Sequence, residues 1–453
     1  MATQSPPKQQ GRSPDRGITT ITISGYKSLV EERTLEIRPL TILAGANSSG
    51  KSSALQPLLL LKQTLEVSYD PGALLLDGPN VRFTSAEQFL SKLAGRPSVD
   101  QFAIGVEIDK TSSLTDVFGK QPKKGIDLVQ MIYRSETNTT TLRPEMRPEE
   151  ILPAIPKEFE EIRKQMMRGE KGDTAQKWAW QIDRTRCFLG ATLSISEVPG
   201  RTLPFPMFMP ATPFELHLRR IIHVPGLRGN PERTYRATAV GSEFPGTFEN
   251  YVASVIRSWQ VTDDRRLAEL GDALERLGLT WKVDTHQVDD TQVELRVGRL
   301  RHSVRGGARD MVSIADVGFG LSQILPVLVA LLAAEPGQLV YLEQPEIHLH
   351  PRAQSVLARI LADAASRGVR VVAETHSALL VLAVQSLVAE QYLPPEKVKL
   401  HWFKRREDGV TEITGADLDE AGAYGDWPED FAEVALEVES RYLDAAERHR
   451  GLA

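Results

Sequence analysis

The chain has 453 residues, of which 41% are hydrophobic and 25% charged, with a formal net charge of −6. This length accommodates two or three domains with ample core, and the mild acidity argues against a strongly basic, non-specific nucleic-acid binder while leaving room for a local patch. A single cysteine, Cys187, excludes an intramolecular disulfide framework and suits a reducing, cytoplasmic setting. The apolar runs near Leu58–Leu61 and Ile324–Ala334 are too short to span a bilayer, so no membrane partner is expected.

Residues 1–17 are polar and read as a disordered leader. Ile18–Ser24 alternates Thr and Ile, the pattern of a half-buried strand, and Thr34–Ile37 reads as its hairpin partner. Leu40–Ala44 is a short apolar strand, and Ser52–Leu65 reads as a helix. Between them stands Gly45-Ala46-Asn47-Ser48-Ser49-Gly50-Lys51-Ser52: glycine, four residues, glycine, lysine, serine. Strand, glycine loop and helix are what phosphate binding needs. Glycines let the loop turn its N–H groups inward, and the helix N-terminus adds partial positive charge. Lys51 is placed for the β- and γ-phosphates and Ser52 for Mg²⁺, with Ser53 closing the binding stretch. ATP and Mg²⁺ are therefore the expected cofactors. The competing reading is an ordinary glycine turn before a helix.

Phe102–Ile108 and Val129–Tyr133 read as strands, Glu149–Gly169 and Ala175–Arg186 as helical, and Leu203–Pro213, rich in proline, as a loop. Ile221–Val224 reads as a strand and Thr247–Trp259 and Asp264–Leu277 as helices, with strand alternation again over Val293–Val304. The last third alternates helices (Leu321–Ala334, Pro351–Arg367, Leu379–Ala389) with buried strands (Leu339–Leu342, Val369–Ala373). A hairpin over Val398–Thr414 and a closing helix over Ala432–Arg448 follow. The expected fold class is α/β: a mainly parallel, helix-covered sheet plus an N-terminal antiparallel part and an inserted mixed α+β region.

Three further segments carry chemistry. Leu339–Leu342 ends in Glu343, a carboxylate at a strand's C-terminal edge where it can hold Mg²⁺ beside a phosphate loop. His376, just past the next buried strand, can reach a γ-phosphate or an attacking water; a lone histidine can equally be structural. Gly318, Gly320 and Ser322 open an apolar helix and could bind phosphate through backbone N–H groups, or Ser322 could simply cap that helix. Arg296, Arg299, Arg301, Arg305 and Arg309 form a basic run that reads either as a nucleic-acid contact or as a solvated face.

The order of phosphate loop, long insert, Gly/Ser turn, Leu342-Glu343-Gln344-Pro345-Glu346-Ile347-His348-Leu349-His350-Pro351 and Glu374-Thr375-His376-Ser377 resembles the ABC-type ATPase heads of the RecF, SMC and OLD group. Within that group it is most similar to short AAA-type ATPases of bacterial defence and retron-like systems. The resemblance implies a composite head (residues 18–110 and 293–453) interrupted by a lever or partner-binding insert (111–292). It also implies face-to-face dimers, with ATP held between the phosphate loop of one copy and Gly318, Gly320 or Ser322 of the other. It further implies a separate effector such as a nuclease, because too little chain follows the head for the OLD nuclease domain. One departure bears on rate. The position after Glu343, usually a second acid acting as base, is Gln344, whose amide can orient water but cannot take its proton. Gln344, Glu346 and His376 are then the candidate catalytic residues, and slow turnover is expected. The alternative functional reading is a DNA-binding clamp in repair.

Overall fold

The computed structural model describes residues 16–93, 95, 98–121, 125–166, 178–198, 201–302, 309–425 and 440–441. Most of the leader, Arg305 and all but two residues of the closing helix expected at 432–448 lie outside these residues.

Strand β1 (Ile18–Ser24) pairs with β2 (Arg33–Glu36) as an antiparallel hairpin, Ile21 opposite Leu35. β3 (Leu40–Gly45) then leaves for a different sheet and runs through the phosphate loop into α1 (Lys51–Glu66). The leucines of α1 from Leu58 to Leu61 are all buried, at about 1.5–3 kcal/mol each for a leucine removed from water. β4 (Gln101–Ile108) pairs with the other edge of β1, and β5 (Ser112–Gln121), β6 (Gly125–Ser135) and β7 (Thr139–Leu142) extend the same sheet in order β2-β1-β4-β5-β6-β7. One sheet therefore runs across residue 110.

Helices α2 (Pro148–Ala154) and α3 (Lys157–Met166) precede a three-stranded antiparallel sheet of β8 (Trp178–Thr185), β9 (Phe188–Val198) and β10 (Arg201–Phe208). Two expectations fail here. The segment read as a helix over 175–186 contains β8: Trp178, Trp180 and Ile182 fall on every second residue, and Trp180 is buried. The segment read as a proline loop begins inside β10. Pro204 and Pro206 sit two residues apart on an edge strand, where a proline's missing N–H is tolerated.

After α4 (Thr212–Arg219), β11 (Ile222–Val224) enters the central sheet. β12 (Tyr235–Arg236), α5 (Val252–Val261), α6 (Arg266–Arg276), β13 (Val283–Gln287), β14 (Gln292–Gly298) and β15 (Met311–Ser313) then build a small antiparallel sheet with two helices. The C-terminal third supplies α7 (Phe319–Ala333), β16 (Leu339–Glu343), α8 (Pro351–Ser366), β17 (Arg370–Thr375), α9 (Ala378–Ala389), β18 (Val398–Arg405) and β19 (Thr411–Ala416). The central sheet has the order β11-β16-β17-β3-β18-β19, parallel except for the β18–β19 hairpin.

Both faces of this sheet are covered, which explains its near-continuous apolar strands. Leu40 and Ile42 of β3, with Val340 and Leu342 of β16, face a core shared with the helices α5 to α9. Leu43, Leu339 and Tyr341 face the opposite core, built from α1 and the antiparallel strands. β17 lies between β16 and β3 and brings Glu374 opposite Glu343 on one side and Leu43 on the other. The C-terminal ends of β3, β16 and β17 thus gather at one edge.

Candidate nucleotide-binding site

The phosphate loop is fixed by two close approaches that only glycine allows. Gly45 has φ 145° and a side-chain carbon there would stand 2.3 Å from the Phe403 carbonyl oxygen; Gly50 has φ 104° and one there would stand 2.6 Å from Thr411 Oγ1. Thr411 in turn donates to the Ser49 carbonyl at 2.7 Å and lies 2.8 Å from Ser28 Oγ, so the β18–β19 hairpin and the turn after β1 clamp the loop from behind. Ala46, Asn47 and Ser48 are exposed at its crown, Ser49 is buried, and Ser53 is half-buried in the first turn of α1.

Lys51 is only 3% exposed. Its ammonium donates to the carbonyls of Gly45 (3.0 Å) and Ala46 (2.8 Å), both neutral acceptors. Burial pulls its pKa below the ordinary lysine range, opposed by the charges of Glu374 and Glu346. A buried cation resting on its own loop is suited to exchange those carbonyls for phosphate oxygens.

Ser52 donates to Glu374 Oε1 at 2.9 Å, and Tyr341 donates to Glu374 Oε2 at 2.9 Å. Glu343, one strand over, is held differently: Oε1 lies 3.1 Å from His223 Nε2 and Oε2 accepts from Gly226 N at 3.0 Å. Asn80, whose amide also donates to the Gly246 carbonyl, lies 3.0 Å from His223 Nδ1, which leaves Nε2 as the nitrogen that donates to Glu343. The neighbouring carboxylates shift in opposite directions. Burial and the Glu343 charge raise Glu374. Burial would raise Glu343 too, but the His223, Gly226 and Tyr341 hydrogen bonds outweigh it and lower it.

The loop opens into a cleft of about 700 Å³ whose lining includes Lys27, Lys51, Ser52, Gln56, Gln344, Glu374, His376 and Arg405. Gln344 sits at φ 45°, a left-handed conformation uncommon outside glycine, with its N–H on the Glu374 carbonyl at 2.8 Å. His376 shares the cleft; burial and Lys51 lower its pKa, so its ring is neutral at pH 7. Glu346 does not line the cleft. It is buried, accepting from Thr375 Oγ1 (2.6 Å) and the His376 N–H (3.0 Å), and its Oε2 has no hydrogen-bond partner among the described residues. It orients the turn that carries His376.

Gly318, Gly320 and Ser322 are not brought to this cleft. Gly318 precedes α7, Ser322 Oγ donates back to the Phe319 carbonyl, and Phe319 is 50% exposed beside His348, ring centroids 6.1 Å apart. Arg228 ties α7 to the centre. It is buried, with one nitrogen on the Gln323 carbonyl (3.1 Å) and another on the Glu343 carbonyl (2.9 Å), and burial lowers its pKa to about 10. Arg296 on β14 pairs with Glu294, while Arg299, Arg301 and Arg309 are exposed.

The donor set fits a nucleotide with Mg²⁺: a glycine loop leading into the N-terminus of α1, a buried lysine on neutral acceptors, and a serine hydroxyl beside a carboxylate. Residues 40–383 match the family model described as "AAA domain, putative AbiEii toxin, Type IV TA system". The chain belongs to this family. Its fold is α/β, with the phosphate loop leaving a central sheet that is parallel apart from the β18–β19 hairpin. Solved structures similar to it include an SMC head bound to the C-winged helix domain of ScpA (11% identity, 89% of this chain and 99% of that one, TM-score 0.46). Others are the SMC head domain from Thermotoga maritima (10%, 88% and 98%, 0.40) and an Smc head with a coiled coil and joint from Pyrococcus yayanosii (10%, 93% and 99%, 0.45). No curated protein matches the chain. Among the described residues no helix is long and apolar enough to cross a membrane.

Sequence reasoning missed Glu374, Tyr341 and His223. Glu374 stood in plain view, at the C-terminal end of a buried strand, the same signal that singled out Glu343. Gln56 and Gln88 also line the cleft, whereas Gln63 is buried and holds backbone groups of Leu75 and Val81.

Proposed function

We propose that the protein is an ATP-binding and ATP-hydrolysing switch that dimerises on ATP and controls a separate effector, such as a nuclease, in phage defence or genome maintenance. The observation that carries this reading is the separation of the site's two halves. Lys51 and Ser52 open into a cleft, while Gly318 and Phe319, exposed, and Gly320 and Ser322, half-buried, lie outside it. A second copy facing the first would supply Gly318, Gly320 or Ser322 to the γ-phosphate end.

In this reading the loop N–H groups and Lys51 bind the phosphates and neutralise charge that builds at the leaving oxygen. Ser52 and a neighbouring carboxylate would hold Mg²⁺, which would supply Lewis-acid neutralisation of phosphate charge. Gln344 orients the attacking water through its amide, and neutral His376 reaches the γ-phosphate region. With no carboxylate at position 344 to take the proton, turnover is slow and the ATP-bound dimer long-lived. Of the residues from 111 to 292, those away from β11 and the Glu343 contacts act as lever and partner contact. The toxin–antitoxin context in the family's name supports a defence setting.

The experiment is sizing of the protein by light scattering with ATP, ADP or no nucleotide, alongside phosphate release. A mass doubling with ATP, with turnover well below one per second, supports the proposal; a monomer saturated with ATP, or turnover of tens per second, contradicts it. The exposed Arg299, Arg301 and Arg309 favour a second reading, a DNA clamp. DNA-stimulated hydrolysis that disappears when these are changed to glutamate would select it.

A further inference from the structure

The nucleotide reading leaves open which carboxylate meets the metal, and the strand position of Glu343 points to it by rule. The side chains point elsewhere. We propose that Glu374, not Glu343, is the carboxylate that holds Mg²⁺ beside Ser52. The inference rests on the nucleotide reading of the cleft.

Ser52 Oγ and Glu374 Oε1 are 2.9 Å apart. Mg²⁺ binds oxygens at 2.0–2.1 Å in a near-ideal octahedron, so two adjacent ligands stand about 2.8–3.0 Å from each other. The hydroxyl and the carboxylate therefore already have the separation of adjacent ligands on one ion, and the hydrogen bond between them would give way to a shared cation without backbone movement. Tyr341 donates to the other oxygen, Oε2, and fixes the carboxylate's orientation in the way an outer-shell partner does. Glu374 lines the cleft with Lys51 and Ser52.

Glu343 has neither property. Both of its oxygens are taken, one by His223 and one by the Gly226 N–H, and it does not line the cleft. Its backbone carbonyl accepts from Arg228, whose other nitrogen reaches the start of α7. Glu343 thus braces the segment after β11 against the sheet, while Glu374, on the strand next to the phosphate loop, faces the phosphates.

The test compares the affinity of the full chain for a fluorescent ATP analogue in Mg²⁺ and in EDTA, with bound Mn²⁺ counted by electron paramagnetic resonance. Glu374→Gln keeps an oxygen that can accept from Ser52, turns an NH2 group toward the Tyr341 hydroxyl, which can accept from it, and removes the charge that would hold the metal. The metal-dependent gain in affinity should fall by about 10–100-fold, bound Mn²⁺ should be lost, and affinity in EDTA should stay within about twofold. Glu374→Asp, a second variant that keeps the charge and withdraws it by one methylene, should retain part of the gain. A Glu374→Gln protein with the full metal gain, or loss of that gain in Glu343→Gln alone, overturns the assignment while nucleotide binding stands. If the unaltered protein binds no nucleotide in either condition, the nucleotide reading itself falls, and the assignment with it.

Discussion

The phosphate-loop end of the sheet and the turn at Gly318–Ser322 differ in how completely the chain finishes them. At the loop, Gly45, Gly50, Lys51, Ser52 and Ser49 are each held by a named neighbour, and Thr411, Ser28 and Glu374 lock the surroundings. At the turn, among the described residues Ser322's hydroxyl bonds only within its own helix, and half of Phe319 faces outward. Rigid groups at one end and open ones at the other fit the proposal that another surface completes the site, and each half can be disturbed without touching its counterpart.

The largest effect is expected at the finished half. Lys51→Ala removes the buried cation and should weaken ATP binding by about 100-fold, as loss of a charge-assisted phosphate contact does; equilibrium titration with a fluorescent ATP analogue reads it. Phe319→Glu attacks the open half instead. It should leave ATP affinity within about twofold and weaken ATP-dependent association by about 30-fold, since a charge forced into a contact core is costly; sedimentation across a concentration series measures this. If both variants lose nucleotide binding alike, the two halves are not separable.

Smaller effects sharpen the finished half. Gln344→Glu supplies the missing proton acceptor and should raise turnover about tenfold, measured by phosphate release under saturating ATP. Stability should also depend on pH in a defined direction. Burial lowers the folded pKa values of His376 and His401 from their ordinary 6.5. The unfolded chain therefore takes up these protons first, so the stability from keeping both rings neutral is fully present above pH 6.5 and is lost as pH falls below it. The melting temperature should drop by a few degrees, about 2–4 °C per kcal/mol for a domain of this order, between pH 7 and pH 5.5, and the drop should shrink in His401→Gln.

What the sequence disclosed follows the same division. The strands β3, β16 and β17 were legible because each is an apolar run buried on both faces, and the loop was legible because its chemistry is local, within Gly45–Ser52. Trp178–Thr185 was misread because an eight-residue stretch without glycine or proline fits helix and strand alike until its alternation is counted. Pro204 and Pro206 hid β10, since nothing local marks an edge strand. The orientation of Glu343 was out of reach. It is set by His223 and Gly226, more than a hundred residues earlier, which only the fold brings to β16.

The separation of the two halves can be tested in one mixing experiment. Lys51→Ala and Phe319→Glu proteins are each assayed alone and then combined in equal amounts with ATP and Mg²⁺. A face-to-face pair of the two carries one intact site, the phosphate loop of the Phe319→Glu copy against the turn of the Lys51→Ala copy. The account predicts that both variants are nearly inactive alone and that mixing restores a substantial fraction of phosphate release. Activity that stays at the sum of the two separate preparations would contradict it.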